Sequence, residues 1–357
     1  EHFDLVIGNP PYGRISLSAG EREKFKRSLH GHANLYGLFT DQSLRFLKNE
    51  GVLAFVTPTS FLSGQYFKQL RKVLQLTAKP GSIDFIHARE GVFEGVLQEA
   101  LLAVYKKGQI QGLTRVQTVD VIGPEALKIQ ELGSFRLSSF PTGPWLLPRS
   151  FEQARILPYL AQHNSRLADY GYKVSTGPLV WNRHKSGFRE NEEENTYPVI
   201  WAESVLPTGK FSFKATKTNH QPFFNPSHKE KWLIRHTPCI LLQRTTAKEQ
   251  KRRIVSAVLP ESFIKKHHGV IVENHLNMVF PLSKTPLVTL EVLHALLKSK
   301  IVDQIFRCLN GSVAVSAYEL ESIPLPSVEK LLTLGQLIQK NASPTEVESE
   351  IERIYLL

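Results

Sequence analysis

The chain is poor in sulfur: its 357 residues include two cysteines and one methionine. Cys239 and Cys308 lie far apart and form no Cys-x-x-Cys. That argues against a zinc ribbon or a disulfide framework and predicts two buried thiols in a reducing compartment. No apolar run is long enough to span a bilayer, and no signal peptide is present, so a cytoplasmic protein is expected. Low-complexity tracts and internal repeats are absent. So is a Gly-x-x-x-x-Gly-Lys-Ser/Thr phosphate loop, which leaves the chain without a motor signature. Glu249-Gln250-Lys251 lacks the preceding aspartate of a nuclease motif, and His267-His268 lacks further ligands nearby, so no metal site is predicted.

What is there is an ordinary globular composition, 41% hydrophobic and 22% charged, on a length that favours two domains. Forty-four Lys and Arg against thirty-three Asp and Glu give a formal net charge of +11 and a pI near 9.5. The excess is uneven: Trp181 to Arg253 holds fourteen Lys/Arg against seven Asp/Glu. Clustered cations interspersed with aromatics are the electrostatic footprint of a polyphosphate partner.

Over the first hundred residues strands and helices alternate. Phe3–Gly8 reads as a buried strand, 34–48 as a helix, 52–56 as a second buried strand closed by Thr57-Pro58. Residues 67–76 look helical, 82–87 extended and 97–105 a further strand. This alternation predicts an α/β fold with a mostly parallel sheet, whose ligands sit beyond the carboxyl ends of the strands. Residues 111–150, rich in Gly and Pro, read as a connecting region. From 151 to 326 the segments are shorter and β-leaning, with a helix within 287–309. Residues 327–357 read as a helical segment broken near Asn341, with Ser343-Pro344 and Glu346 forming a capping box for the last helix.

Directly after the first strand stands Asn9-Pro10-Pro11-Tyr12. The Asn9 side-chain carbonyl and the Pro10 backbone carbonyl can both accept from one NH2 group. An aryl amine such as adenine N6 is a poor nucleophile because its lone pair is delocalised. Two acceptors favour pyramidal nitrogen and stabilise the positive charge that grows as it attacks an electrophile. The prolines fix φ and keep both acceptors aimed, and Tyr12 offers a flat face on which a planar ring can stack.

This tetrapeptide resembles the catalytic motif of S-adenosylmethionine-dependent amino-methyltransferases. Four residues do not choose between adenine in DNA, bases in RNA and a glutamine amide in protein. Asn34-Leu35-Tyr36-Gly37-Leu38-Phe39, then Gly51–Phe55 with Thr57-Pro58-Thr59-Ser60-Phe61-Leu62, and Gly91-Val92-Phe93-Glu94-Gly95-Val96-Leu97, resemble the order in the TaqI-type N6-adenine DNA methyltransferases. The resemblance implies a partial Rossmann-like methyltransferase sheet (1–110), the connecting region 111–150, a smaller α+β target-recognition domain (151–326) and the C-terminal helices (327–357). It implies that Phe93 packs against a flipped adenine opposite Tyr12, and that Phe39 contacts the adenine of S-adenosylmethionine.

The family's Gly-rich cofactor loop, and the acidic residue after it, precede Asn-Pro-Pro-Tyr; neither is in this sequence. With no initiator Met, the chain is expected to be a fragment of a longer polypeptide. It would lack most of the cofactor site, leave its first strand as a sheet edge and be inactive without its N-terminal half.

A base inside a duplex must be flipped out to be methylated, so a second domain must grip double-stranded DNA. Candidate contacts are Trp181, Asn182, Arg183, His184 and Lys185; Arg244, Thr245, Lys248, Lys251, Arg252 and Arg253; and Asn310 and Ser312 flanking Gly311. Arg and Lys can read guanine, Asn can read adenine, and all can anchor phosphates. A DNA-binding specificity module without catalysis, and an RNA or protein-glutamine methyltransferase, are the rival readings.

Overall fold

The structure is a computed structural model that describes residues 2–357, with the exception of 87–98, 124–125, 139, 247–249 and 310–312. Its contacts divide into two units, Glu1–Pro158 with Arg307–Ser312, and Tyr159–Phe306 with Val313–Leu357.

The first unit is built on one six-stranded sheet. Strand β1 (Phe3–Gly8) leads into a short ribbon, β2 (Arg14–Ile15) paired with β3 (Ala33–Asn34), with helix α1 (Ala19–Lys24) between them. Helix α2 (Leu35–Phe46) runs into β4 (Leu47–Pro58), and α3 (Lys68–Thr77) into β5 (Pro80–Ile86). Strands β6 (Ala100–Lys106), β7 (Thr114–Gly123) and β8 (Ala126–Phe135) follow, then α4 (Phe151–Ile156). The strand order is β1-β4-β6-β5-β7-β8. Strand β1 is parallel to β4, and β5 to β7; the other pairs are antiparallel. The sheet is therefore mixed, where alternation predicted a mostly parallel one. A parallel neighbour needs a crossover, which α2 supplies between β1 and β4. Strand β6 instead returns between β4 and β5.

Residues 111–150, read from sequence as a connection, contain the β7–β8 hairpin. The misleading signal is Gly133. With φ of +126° it sits at a bulge, where Val116 faces Gly133 but Gln117 faces Glu131. Glycine here bends a strand and does not end one.

Period-two alternation assigns each face of the sheet. Leu53, Phe55, Ile83, Phe85, Leu101 and Ala103 join Tyr36, Leu44, Leu70 and Leu74 of α2 and α3, with Trp145, in one core. The opposite face carries Leu5 and Ile7 beside Val52 and Ala54, with Val104 and Leu102 next to them. There β1 is an edge strand, and Phe3, Leu5 and Ile7 are 49%, 54% and 71% exposed.

The second unit holds two sheets. Strands β10 (Phe188–Arg189), β11 (Tyr197–Ile200), β12 (Phe223–Phe224), β13 (Ile234–Arg235) and β16 (Val270–Val272) form one, in the order β10-β12-β11-β16-β13. Strands β9 (Tyr172–Thr176), β14 (Cys239–Gln243), β15 (Ser256–Leu259) and β17 (Leu276–Pro281) form the other, in the order β15-β14-β17-β9. Helix α5 (Glu261–Lys266) precedes β16. The helix expected within 287–309 is two, α6 (Leu290–Lys298) and α7 (Lys300–Leu309), of which Arg307–Leu309 group with the first unit. Ser299 breaks them, its hydroxyl donating to the Leu296 carbonyl. Helices α8 (Ala317–Glu321), α9 (Leu332–Gln339) and α10 (Pro344–Leu356) end the chain. Asn341, at φ +52°, separates the last two. The capping box at Ser343 is formed: Glu346 Oε2 accepts from Ser343 N at 2.8 Å, and Ser343 Oγ from Glu346 N at 3.3 Å.

Candidate active site and nucleic-acid interface

Because β1 and β4 are parallel and Gly8 lies opposite Phe55, Asn9 leaves the sheet beside Thr57-Pro58. A Cβ on Gly8 would stand 3.2 Å from the Phe55 ring, so the missing side chain permits this approach. Asn9 and Pro11 are exposed, Pro10 is buried and Tyr12 is half-buried. The exposed amide thus sits on a buried anchor, which is the geometry a substrate-facing acceptor needs. The Tyr12 hydroxyl donates to the Val56 carbonyl at 3.4 Å, and its ring meets Tyr36 edge-on, with centroids 6.1 Å apart. Burial raises the Tyr12 pKa above its ordinary value, and that of Tyr36 further, so both phenols stay neutral.

Tyr36 is the supporting residue that sequence reasoning missed. It is buried, stacks on Phe67 at 5.0 Å and pairs its hydroxyl with Ser60 Oγ at 2.9 Å. Leu35 N donates to the Gly13 carbonyl at 2.9 Å, and Arg14 pairs with Asn34. The run Asn34–Phe39 is thereby tied to the segment leaving Asn9-Pro10-Pro11-Tyr12. A Tyr just after a strand-like dipeptide was the available signal; its contact with Tyr12 was not legible. Phe39, which the resemblance sets against the cofactor's adenine, is 46% exposed, whereas Tyr36, Leu38, Thr40, Asp41 and Leu44 are buried. Phe93 lies outside the described residues. Ile86 and Pro58, the last residues of β5 and β4, both pair with Ala100 of β6. Thr59 N donates to the Glu99 carbonyl at 2.9 Å there.

In the second unit Trp181–Lys185 forms a tight turn on the five-stranded sheet. Trp181 packs partly buried against Val199, Trp201, Phe224 and Ile271, and the Lys185 ammonium lies 5.6 Å from its ring centroid. Asn182, Arg183 and Lys185 are exposed. His184 is engaged internally, its Nδ1 2.7 Å from Glu230 Oε1. Three hydrogen bonds, those from Ser227 Oγ and N and that with His184, hold the Glu230 pKa below its ordinary value.

The turn 244–253 joins β14 to β15 and is less available than its charge density promised. Arg253 is buried at 1% exposure; its guanidinium donates to the Thr246 carbonyl and its backbone N to Asp303 Oδ1 at 2.6 Å. It is an interior brace, which removes it from the surface set. Half-buried Arg244 donates to the Asn274 carbonyl at 2.6 Å, and Arg252 to that of Lys298. Thr245 and Lys251 are exposed. Lys248, Asn310 and Ser312 lie outside the described residues. Trp181–Lys185 is carried on one sheet and 244–253 on the other.

Among the described residues, no group of three or more His, Cys, Asp or Glu could hold a metal ion, and no helix is long and apolar enough to cross a membrane. His267 pairs with Glu192 at 3.0 Å. Cys239 and Cys308 are buried free thiols, pushed by burial up to about 11 and about 12.

Residues 1–93, which carry the strand ending in Asn9-Pro10-Pro11-Tyr12, match the family model described as Eco57I restriction-modification methylase. The chain as a whole is similar to the Type II methyltransferase M.BsuBI of Bacillus subtilis, 28% identical over 374 aligned positions that cover 100% of it and 72% of that protein. It is also similar to the Type II methyltransferase M.PstI of Providencia stuartii, at 26% identity, covering 92% of this chain and 66% of that one. Its fold is similar to that of the Type IIL restriction-modification enzyme MmeI, solved in complex with DNA, with a TM-score of 0.52 at 10% identity over 98% of this chain and 53% of that one. The chain thus spans about two thirds to three quarters of these curated relatives and about half of MmeI.

Proposed function

We propose that the chain is part of a site-specific DNA methyltransferase of a restriction-modification or related defence system. The reaction is methyl transfer from S-adenosylmethionine to N6 of an adenine flipped out of duplex DNA. The observation that carries this reading is the exposed Asn9 amide on buried Pro10, at the carboxyl ends of two parallel strands and beside a braced Tyr12.

In this reading the Asn9 side-chain carbonyl and the Pro10 carbonyl accept the two N6–H bonds and hold the nitrogen lone pair toward the electrophile. Tyr12, kept neutral and oriented by Val56 and Tyr36, stacks on the base, and Phe93 packs opposite it. S-adenosylmethionine, when bound, supplies the methyl group. The residues present fit the outer part of its site: Phe39 offers an exposed ring on α2, and β1 offers an open sheet edge beside Asn9. The remainder belongs to polypeptide docked on that edge and on Phe3, Leu5 and Ile7, where an added strand satisfies free backbone groups and covers apolar surface. The second unit supplies the grip on DNA through the cations and amides of its surface turns.

The test is Asn9→Ala in the longer polypeptide, with N6-methyladenine in duplex DNA measured. The expected loss is about 100- to 1,000-fold, as for removal of one preorganised electrostatic group. Unchanged methylation, or label transferred to RNA or to protein glutamine in place of duplex DNA, would overturn the reading.

A further inference from the structure

Beside the Trp181–Lys185 turn lies a second aromatic and basic turn, at residues 227–233. His228–Leu233 is a 3₁₀ helix. In that geometry residues three apart project from the same side. Glu230 and Leu233 share the inward side. Leu233 is buried in the cluster that holds Trp201, Phe224 and Ile271, and both Glu230 carboxylate oxygens are committed. Oε2 accepts from Ser227 N at 2.9 Å and from Ser227 Oγ at 2.6 Å, and Oε1 pairs with His184. Lys229 and Trp232 share a second side, His228 and Lys231 a third, and all four are exposed. Trp232 is 68% exposed.

A single exposed apolar side chain is ordinary on a protein surface. Trp232 differs in its support and its company. Its turn is braced by Leu233 below, by Ser227 at its start and by His184 from the neighbouring turn. That neighbouring turn is itself locked, because a Cβ on Gly187 would stand 2.4 Å from the Phe224 ring. Two turns, joined by the His184–Glu230 bond, thus expose Arg183 and Lys185 on one and Lys229, Lys231 and the Trp232 indole on the other. The one carboxylate among residues 181–185 and 228–232 is Glu230, which is turned inward. An indole held in water costs little ordering when it stacks on a base, and flanking ammonium groups suit the phosphates on either side.

We infer that the 228–232 turn contacts DNA, with Trp232 stacking on a base and Lys229 and Lys231 binding the adjacent phosphates. The inference rests on the DNA-methyltransferase reading and adds a contact element to it. It adds a second exposed turn to the one at Trp181–Lys185, to which it is tied by the His184–Glu230 bond.

Duplex DNA titrated into the chain at low salt tests it, read by fluorescence. Trp145 and Trp201 are fully buried, so a DNA-dependent change in emission reports Trp181 and Trp232. Trp232→Ala is expected to weaken binding about tenfold, and Trp232→Phe, which keeps a stacking ring, to stay within about threefold of the parent. Lys229→Ala with Lys231→Ala is expected to lower the slope of log affinity against log salt by about two. If the parent binds duplex DNA while Trp232→Ala binds equally well and leaves the quenching intact, the turn faces another macromolecule and this inference is overturned, with the DNA reading untouched. If the parent does not bind duplex DNA, both fall together.

Discussion

Two strands of similar composition meet opposite fates. In the first unit, Phe3-Asp4-Leu5-Val6-Ile7-Gly8 is an edge strand with three large apolar side chains open to water. In the second, Val270-Ile271-Val272 is fully buried, paired on both sides and packed between two clusters. Val272 and Val270 join Leu241 and Met278, while Ile271 joins Val199 and Phe224. The residue types are those of an interior strand in both cases. What separates them is whether a second layer exists on the far face. In the first unit, α2 and α3 pack on the face that carries Leu53, Phe55, Ile83 and Phe85, and β1 stands at the edge with Phe3, Leu5 and Ile7 exposed.

Each unit also buries one arginine as a brace, Arg71 in the first and Arg253 in the second. In the first unit Arg71, fully buried, donates to the carbonyls of Phe61, Gly64, Thr142 and Gly143. Arg71→Met should leave these groups short of donors and cost roughly 3–5 kcal/mol. Hydrogen exchange should then show β5 and β6 losing protection while β16 and β17 keep theirs. Equal loss in both would dissolve the distinction between the units. Next in size is Gly177→Ala in the second unit, whose Cβ would lie 2.2 Å from the Glu273 carbonyl oxygen. A backbone clash of this kind should cost about 2–3 kcal/mol in thermal unfolding. No change would mean that the two segments do not approach so closely.

pH should separate the units by sign. Glu203 in the second unit is desolvated, which raises its pKa. Hydrogen bonds from His220, Thr216 and Lys217 outweigh that and hold it below the ordinary value. Its contribution is present above the unfolded carboxylate pKa and is lost as pH falls through the depressed folded value. Glu203→Gln should lower stability at neutral pH by about 1–2 kcal/mol and flatten that acid limb. Asp84 in the first unit has its pKa raised by burial, against the smaller opposing effect of Arg115. Its penalty is absent below the unfolded pKa and grows as pH rises toward the folded one. Asp84→Asn should therefore stabilise the first unit at neutral pH, by less than about 1 kcal/mol. A matching pH response in both variants would break the contrast. The smallest effect is Ile7→Lys, within about 0.5 kcal/mol by thermal melting of the chain alone. A large loss there would mean that the exposed face is already covered within this chain.

Much of the fold was legible because its signals are local. Phe3–Gly8, Val270–Val272 and the Ser343 capping box stand where apolar runs and cap residues put them. The helix read as 34–48 ends at Phe46, because β4 already begins at Leu47. The β7–β8 hairpin was hidden by a glycine that serves a bulge. At the candidate site, the turn that sets exposed Asn9 beside buried Pro10 was legible as four adjacent residues. The support from Tyr36 was not, since it depends on α2 folding back against Tyr12. Basic residues were the least legible group. Arg253 and Lys251 are two positions apart, yet one braces the Thr246 carbonyl in the interior and the other meets solvent.

By itself the sequence determined the strand that ends in Asn9, the rigid φ values after it, the helix caps and the sign of the charge. Each of these arises from the sterics and hydrogen bonding of a few consecutive residues. Only the tertiary structure decided which sheet neighbours β1 takes, which arginines are buried, and that the turn carrying Trp232 is tied to the turn carrying Trp181 through Glu230 and His184. Those outcomes depend on burial and pairing between residues tens of positions apart, where the free energy belongs to the assembled surfaces and not to any local segment.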